Sequence, residues 1–477
     1  MIGADLQSKG YMKMSGAETG NTVAVILAGG RNRRMMSKLP KAMHKIGGIP
    51  MIGMVYNAVK AAGVGRCVVV VGFGAEYIVD YMGARVEYAY QYEQLGTGHA
   101  FMTGMDYLGG YDGRVLSLYG DMPLVSKDTL SALIQQNTET GDQGTLVYAY
   151  MQDQRKYGRI VRDKGGNFAK IVEEKDATAE EALIREVNPG IYCFDAAAAR
   201  IAVRGLNTDN AQGEMYLTDV PAAMLKAGGR IGLHKMEDSR ECLGVNDRAD
   251  LEELNRALYM EKCRDLMIKC GVTIMDSGNT YIDMGVTVGM DTVIYPGCVI
   301  EGDTAIGEGC VIGPGARITD SEIGDRASIA YSVVNESKIG REASVGPFAY
   351  LRPGADIGDR VKIGDFVEIK NANIGRDAKI SHLAYVGDAD VGANANIGCG
   401  AITCNYDGVK KYRTVIGENA FIGSNANLIA PVTINDGAYI ASGSTITDDV
   451  PEDALAIARG RQVIKEHWVS RKGFKRG

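Results

Sequence analysis

The chain has 477 residues with 59 acidic against 52 basic side chains, a formal charge of -7. An acidic balance of this kind excludes nucleic acid or an anionic membrane as the expected main partner. The length exceeds what one hydrophobic core usually serves, so two large parts are expected.

No apolar run reaches about 18 residues, and MIGADLQSKGYMKMSG lacks the apolar core of a signal peptide, so a soluble cytoplasmic protein with no membrane insertion is expected. The nine cysteines form no CxxC pair. Free thiols are expected, and a structural zinc site is not.

Residues 1–20 are polar and Gly-rich without periodicity, which predicts a flexible N-terminal extension. From Thr22 the character changes: TVAVILAGG, RCVVVVGFG and RVLSLYGD are apolar strand runs ending in glycine, with helical stretches between them. Residues 21–247 are therefore expected to form an α/β domain on a mostly parallel sheet. Ligands of such sheets bind at the carboxyl ends of the strands, here Gly29-Gly30, Gly72-Phe73-Gly74 and Gly120-Asp121.

The loop LAGGRNRRMMSKLPK lets backbone N–H groups approach a phosphate, and Lys41 adds a cation. Asp121 places a carboxylate just past a strand, where a divalent cation bridging phosphates needs an oxygen ligand. Gly96-Thr97-Gly98 offers small residues against which a base or sugar packs. Each feature also has an ordinary structural explanation, since strand-end Asp residues form turns and lysines populate surfaces.

Residues 248–271 carry Leu251, Leu254, Leu258, Leu266 and Met267 at helical spacing and predict one linker helix. Over 272–450 an aliphatic residue returns every sixth position: Val288, Ile294, Ile300, Ile306, Ile312 and Ile318, then Ile416, Ile422, Leu428, Ile434, Ile440 and Ile446. A period of six fits a coil of three short strands with one inward aliphatic per side, a parallel β-helix of hexapeptide repeats. The basic C-terminal tail, 451–477, either closes over an anion or is simply solvated.

The repeats slip by one residue near Ile318, Ile369 and Val386, and break between Ile397 and Ile416, where AITCNYDGVKKYRT is too long for a corner. Loops thrown from a rigid solenoid are where function is usually grafted. His382 near this break carries an imidazole, a side chain suited to accepting a proton, and Glu368 one coil earlier is a carboxylate expected to sit near that ring and favour its charged form. Arg352, Lys370 and Lys411 are cations suited to a phosphate. Each of these residues also has a plain surface explanation.

The motifs LAGG, LPK, EQLGTGHA, YGDMPL, YGRI, IVEEKDA, EVNPGIY, NAQGEMYLTD and GVN occur in this order, and from about Val23 to Arg459 the chain resembles the bifunctional N-acetylglucosamine-1-phosphate uridyltransferase/glucosamine-1-phosphate N-acetyltransferase family. The resemblance implies a Rossmann-like nucleotidyltransferase domain over 21–247 and a left-handed β-helix acetyltransferase domain over 272–450. It implies that Leu27, Ala28, Gly29, Gly30, Lys41, Gln91, Gly96, Thr97, Tyr119, Gly120, Asp121, Gly158, Glu173, Asn188 and Asn246 line the UDP-N-acetylglucosamine site. Asp121 and Asn246 would hold Mg2+. His382 would be the catalytic base, oriented by Glu368, with Arg352, Lys370, Tyr385, Asn396 and Lys411 on glucosamine-1-phosphate. Cys399, Asn405, Tyr406, Ser424, Ala441 and Arg459 would contact acetyl-CoA. The implied chemistry is acetyl transfer followed by uridylyl transfer from UTP with release of pyrophosphate, by a homotrimer. The product would feed peptidoglycan and lipopolysaccharide synthesis.

Three positions depart from the family pattern. Asn32 and Arg33 replace a glycine and a threonine in the phosphate loop, and Pro189 replaces a threonine and removes a backbone donor beside Asn188. These changes leave open an acetyltransferase with an impaired or re-specified nucleotidyl half, and a non-catalytic assembly subunit is the third reading. Retention of Asp121, Asn246, Glu368 and His382 argues against the last.

Overall fold

The protein is described by a computed structural model covering residues 21–31, 33–152 and 157–474. The extension expected over 1–20, Asn32 and the Arg33 side chain lie outside the described residues. The chain divides into two units, Met1–Arg256 and Ala257–Gly477, and the boundary falls within the single helix Arg248–Cys270. Leu254, Leu258, Cys263 and Leu266 are the buried residues of that helix, whereas Met267 is 37% exposed.

In the first unit the apolar runs become the inner strands of a ten-stranded sheet. Thr22–Ala28 lies between Arg66–Val71 and Arg114–Tyr119, parallel to both, and Glu87–Tyr90 extends that side in parallel. Alternation along Thr22–Ala28 feeds two cores. Ala24 and Ile26 pack with the helices Met51–Ala61, Ala75–Met82 and Lys127–Thr140. Val23, Val25 and Leu27 pack with Thr97–Leu108, Ala196–Arg204 and Val220–Lys226 on the other face.

The rest of the sheet corrects the expectation of a mostly parallel one. Tyr192–Asp195 runs antiparallel to Arg114–Tyr119 and to Gly144–Tyr150, and Glu186–Asn188 is antiparallel to Gly144–Tyr150 and Gly158–Arg162. Gly158–Arg162 and Phe168–Val172 are antiparallel as well, joined by the short turn DKGGN as a hairpin requires, whereas Ile231–Lys235 runs parallel to Gly144–Tyr150.

The second unit is a left-handed parallel β-helix whose three faces are parallel sheets of 11, 10 and 9 strands. Ile294 pairs with Ile312, Ile300 with Ile318, and Ile306 with Ile323, and all twelve residues of the hexad ladder are buried. Each rung withdraws one aliphatic side chain from water, worth roughly 1.5–3 kcal/mol relative to exposure. Stacking these rungs makes one continuous column from Cys263 to Val450. The last rung is Leu455–Ala456, past the boundary expected at 450, and residues 457–474 are exposed throughout.

Candidate active sites

At the carboxyl ends of the parallel strands of the first unit lies a cavity of about 1110 Å³. It is lined by Leu27 to Gly30, Lys41, Gln91, Gly96, Thr97, Tyr119, Asp121, Gly158, Glu173, Asn188 and Asn246. Of the fifteen residues expected here only Gly120 is not in the lining. Its N–H donates to Leu27 O at 2.9 Å, which ties the strand end carrying Asp121 to the strand end carrying the glycine loop.

Lys41 stands at the centre of the polar side. Its ammonium pairs with Asp121 Oδ2 and donates to Asn246 Oδ1 at 3.4 Å, and Arg34 Nη2 donates to the same Asn246 oxygen at 3.1 Å. Asn246 is held in turn because its N–H donates to Asp250 Oδ2 at 2.8 Å in the first turn of the connecting helix. A carboxylate oxygen and an amide oxygen from distant segments thus converge on one cationic point. Two convergent hard oxygen donors fit a divalent cation that bridges phosphates and completes its shell with water.

The opposite side is shaped for a sugar and a base. Gly96 sits at φ +115, and a Cβ there would lie 2.4 Å from Met215 O, so only glycine lets the Gly96-Thr97 loop approach that segment. Thr97 Oγ1 then accepts from Leu217 N at 3.1 Å, and Gln91 Nε2 contacts His99 Nδ1 at 3.0 Å. Asn188 donates to the Tyr192 hydroxyl at 2.7 Å and accepts from Gly190 N, with Pro189 on the cavity wall. Glu173 accepts from Thr218 Oγ1 at 2.9 Å, and burial pushes its carboxyl above the ordinary carboxylate range, with Asp219 and Asp176 adding to the effect.

The cavity also contains Arg31, Arg34, Gln94, Lys175, Tyr216 and Thr218, which the sequence reading did not single out. Tyr216 and Thr218 lie inside NAQGEMYLTD. Arg34 lies in the segment LAGGRNRRMMSKLPK, four residues after Gly30.

In the second unit the expected residues fall on consecutive coils around the broken repeat. Arg352 Nη1 donates to Glu368 Oε1 at 2.8 Å, and Glu368 sits opposite Tyr385 in register. Glu368 therefore holds Arg352, and the carboxylate on the His382 ring is that of Asp365, 2.7 Å from Nδ1. Lys370 faces Lys411, whose ammonium holds the Lys370 amine below the usual lysine value. Below them Asp388 accepts from Asn371 at 2.6 Å and from Asn405. Burial pushes the Asp388 carboxyl up, but those two amides, with Lys370 and Lys411, outweigh it and leave it below the ordinary range.

The protruding loop is a small hairpin in which Tyr406 pairs with Lys411 and Asp407 Oδ1 accepts from Val409 N and Lys410 N. Asn405 also reaches the Tyr385 hydroxyl at 3.4 Å. The remaining expected residues line one corner on successive coils. Gly400 N donates to Leu383 O, Asn425 N to Cys399 O, and Gly443 N to Ser424 O, while Ala441 N donates to Ala456 O and Arg459 reaches Ser442 O at 2.8 Å. A strip therefore runs from the His382 corner past Cys399, Ser424 and Ala441 to Arg459. Asn396 lies beside it, paired with Lys379 and Phe421. All nine cysteines are free thiols, and Cys399 is exposed on the strip.

Residues 24–216 match the MobA-like NTP transferase domain family, and residues 285–320, 336–371 and 413–448 match the bacterial transferase hexapeptide family of six repeats. The bifunctional protein GlmU of Acetivibrio thermocellus is 52% identical over 454 residues, covering 95% of this chain and 98% of that protein. Its counterpart in Geobacillus sp. (strain WCH70) is 49% identical over 453 residues, 95% and 98% of the two chains. That of Clostridioides difficile (strain 630) is 46% identical over 455 residues, 95% and 99%. Similarity over both halves at once disfavours a lone acetyltransferase or an assembly subunit. With an NTP transferase half and a hexapeptide transferase half in one chain, the protein belongs to the bifunctional GlmU family of transferases.

Proposed function

We propose that the cavity of the first unit performs uridylyl transfer and that the Arg352–Lys411 region of the β-helix performs acetyl transfer, together making UDP-N-acetylglucosamine. The observation that carries the first assignment is the convergence of Lys41, Arg34, Asp121 and Asn246 beside the glycine loop. Asp121 and Asn246 would hold Mg2+, which when bound neutralises phosphate charge. Lys41 and Arg34 bind the nucleotide phosphates as charge shifts to the pyrophosphate leaving group. Gly29 and Gly30 let the backbone approach those phosphates. Glu173 accepts a sugar hydroxyl hydrogen and Asn188 fixes the sugar's orientation. An oxygen of N-acetylglucosamine-1-phosphate attacks the α-phosphorus of UTP and the bond to pyrophosphate breaks. Positioning and charge neutralisation suffice, so the chain need supply no nucleophile.

In the β-helix, Lys370, Lys411 and Arg352 bind the phosphate of glucosamine-1-phosphate, and Tyr385 and Asn396 contact its sugar. The amine attacks the thioester carbonyl of acetyl-CoA, the C–S bond breaks, and the thiolate leaves. His382 accepts the proton that the amine gives up. Acetyl-CoA lies along the strip from Asn405 and Tyr406 through Cys399, Ser424 and Ala441 to Arg459. What supports this is the facing pair Lys370–Lys411, two like charges held together where an anion relieves their repulsion.

We further propose a cytoplasmic homotrimer. Among the described residues no helix is long and apolar enough to cross a membrane, and the exposed rings Tyr331, Phe348 and Phe366, the first pair tilted and the second stacked, offer an apolar ridge beside His382 for a second copy. Light scattering reading a monomer at working concentration would overturn it. The function itself is tested by two separate assays on purified protein. One measures pyrophosphate from UTP and N-acetylglucosamine-1-phosphate with magnesium, and the other free CoA from acetyl-CoA and glucosamine-1-phosphate. Activity in both is expected, and silence in either removes the corresponding half.

A further inference from the structure

The pairing of Asp365 with His382 is built into a local irregularity of the coil. In the eleven-stranded face, every strand has two residues except Lys362–Asp365 and Lys379–His382, which have four. These two are neighbours, and their extra length adds the register pair Asp365 with His382 to the ordinary pairs Lys362 with Lys379 and Ile363 with Ile380. Gly364 makes the extension possible, because a Cβ there would overlap the Ser381 carbonyl. The backbone closes the same pair, with Leu383 N donating to Asp365 O at 2.8 Å, and both strands end in left-handed turns at Phe366 (φ 56) and Leu383 (φ 35).

A hydrogen bond to one ring nitrogen of a histidine decides which nitrogen keeps its lone pair. Asp365 Oδ1 lies 2.7 Å from Nδ1 of a His382 ring that is otherwise 63% exposed and has no second side-chain partner among the described residues. The same contact holds the Asp365 carboxyl below its ordinary range.

We infer that Asp365 is a positioning residue for acetyl transfer: it accepts a hydrogen bond from Nδ1–H of His382 and so directs the Nε2 lone pair at the attacking amine. Asp365 does not touch substrate. When Nε2 takes the amine proton, the imidazolium is stabilised by the adjacent carboxylate, and the proton later leaves to solvent or to the departing thiolate. Glu368 is occupied with Arg352 and serves the phosphate side. This inference rests on His382 being the base.

The test uses the full-length protein and four variants: D365A, D365N, H382A and the double variant D365A/H382A. D365A is expected to lower the acetyl-transfer kcat by about tenfold or more, with both KM values within about threefold of wild type. D365N keeps an oxygen acceptor without the charge and recovers part of the loss. The double variant is no slower than H382A, because Asp365 acts through the ring. Uridylyl transfer stays at wild-type rate in all four and reports that the chain is folded. In 15N NMR, the His382 ring of wild type holds its proton on Nδ1, and D365A shifts it toward a mixture of tautomers. A D365A kcat within twofold of wild type while H382A is inactive overturns the role of Asp365 alone. Full activity of H382A overturns the reading of His382 and this inference with it.

Discussion

The Lys41 ammonium forms an ion pair with the Asp121 carboxylate, joining the loop after the first strand to the end of the Arg114–Tyr119 strand. With the Asn246 amide oxygen on the same ammonium, this contact gathers polar groups from three distant segments at the head of one sheet. Removing the carboxylate should therefore disable nucleotide transfer without touching the β-helix. Asp121→Ala is expected to lower pyrophosphate release by more than about a hundredfold, the scale of losing a charge-stabilising group in a preorganised site. Acetylation by the same preparation is expected to be unchanged. Chelation with EDTA, restored by magnesium, gives the same split between the two activities.

Lys370 and Lys411 make a pH prediction with a definite sign. The like charge of Lys411 lowers the Lys370 value in the folded protein, so the doubly protonated pair opposes folding below that value and ceases to do so as pH rises through it. A bound phosphate reverses the shift. Inorganic phosphate or glucosamine-1-phosphate binding at about pH 9.5 is expected to take up protons. Calorimetry in buffers of different ionisation enthalpy reads this uptake, and Lys370→Met abolishes it while raising the KM for glucosamine-1-phosphate about tenfold or more. Binding without proton uptake at that pH would show that the pair does not face the anion.

Glu173 carries the opposite sign from a surface carboxylate. Its folded value is raised by burial, so between the unfolded and folded values the native chain holds the extra proton and stability falls as pH rises. Glu173→Gln is expected to raise the melting temperature of the first unit at pH 7.5, with the gain vanishing near pH 4, where the wild-type side chain is protonated in both states. The same variant is expected to raise the KM for N-acetylglucosamine-1-phosphate, because the amide presents its hydroxyl acceptor with half the capacity. Differential scanning calorimetry across that pH range checks the first point.

The column of the β-helix predicts a purely structural variant. Ile312 is fully buried between Ile294 and Ile329 on neighbouring coils, far in sequence from the acetyl-transfer residues. Ile312→Ala is expected to cost about 2–5 kcal/mol from lost burial and the cavity left behind. Chemical denaturation followed by circular dichroism measures the loss, while both activities at 25 °C stay close to wild type.

The hexads were legible because a three-sided coil must bury one side chain per face, so the repeat is written into every rung from Val288 to Ile446. Cavity residues such as Gly96 and Asp121 were legible for a similar reason, since strand ends and glycine turns mark where a ligand meets an open sheet. The antiparallel half of that sheet was not, because Glu186–Asn188 and Tyr192–Asp195 are only three and four residues long and pair with strands distant in sequence. The partner of His382 was missed through coil length. Glu368 precedes His382 by fourteen residues, whereas the neighbouring coil places its register partner seventeen residues back, at Asp365. Only the slipped spacing, Ile363 with Ile380 instead of the eighteen-residue step of Ile294 with Ile312, carries that information. Arg34 and Thr218 were missed because nothing local separates a cavity-facing side chain from a solvated one.

The central claim is that one chain carries two independent sites, one in each unit. The most direct measurement assays Asp121→Ala and His382→Ala in both half-reactions, each with its own substrates. The expected result is a crossed pattern: Asp121→Ala loses pyrophosphate release and keeps CoA release, and His382→Ala does the reverse. A variant that silences both reactions while remaining folded, or one that silences neither, would contradict the account.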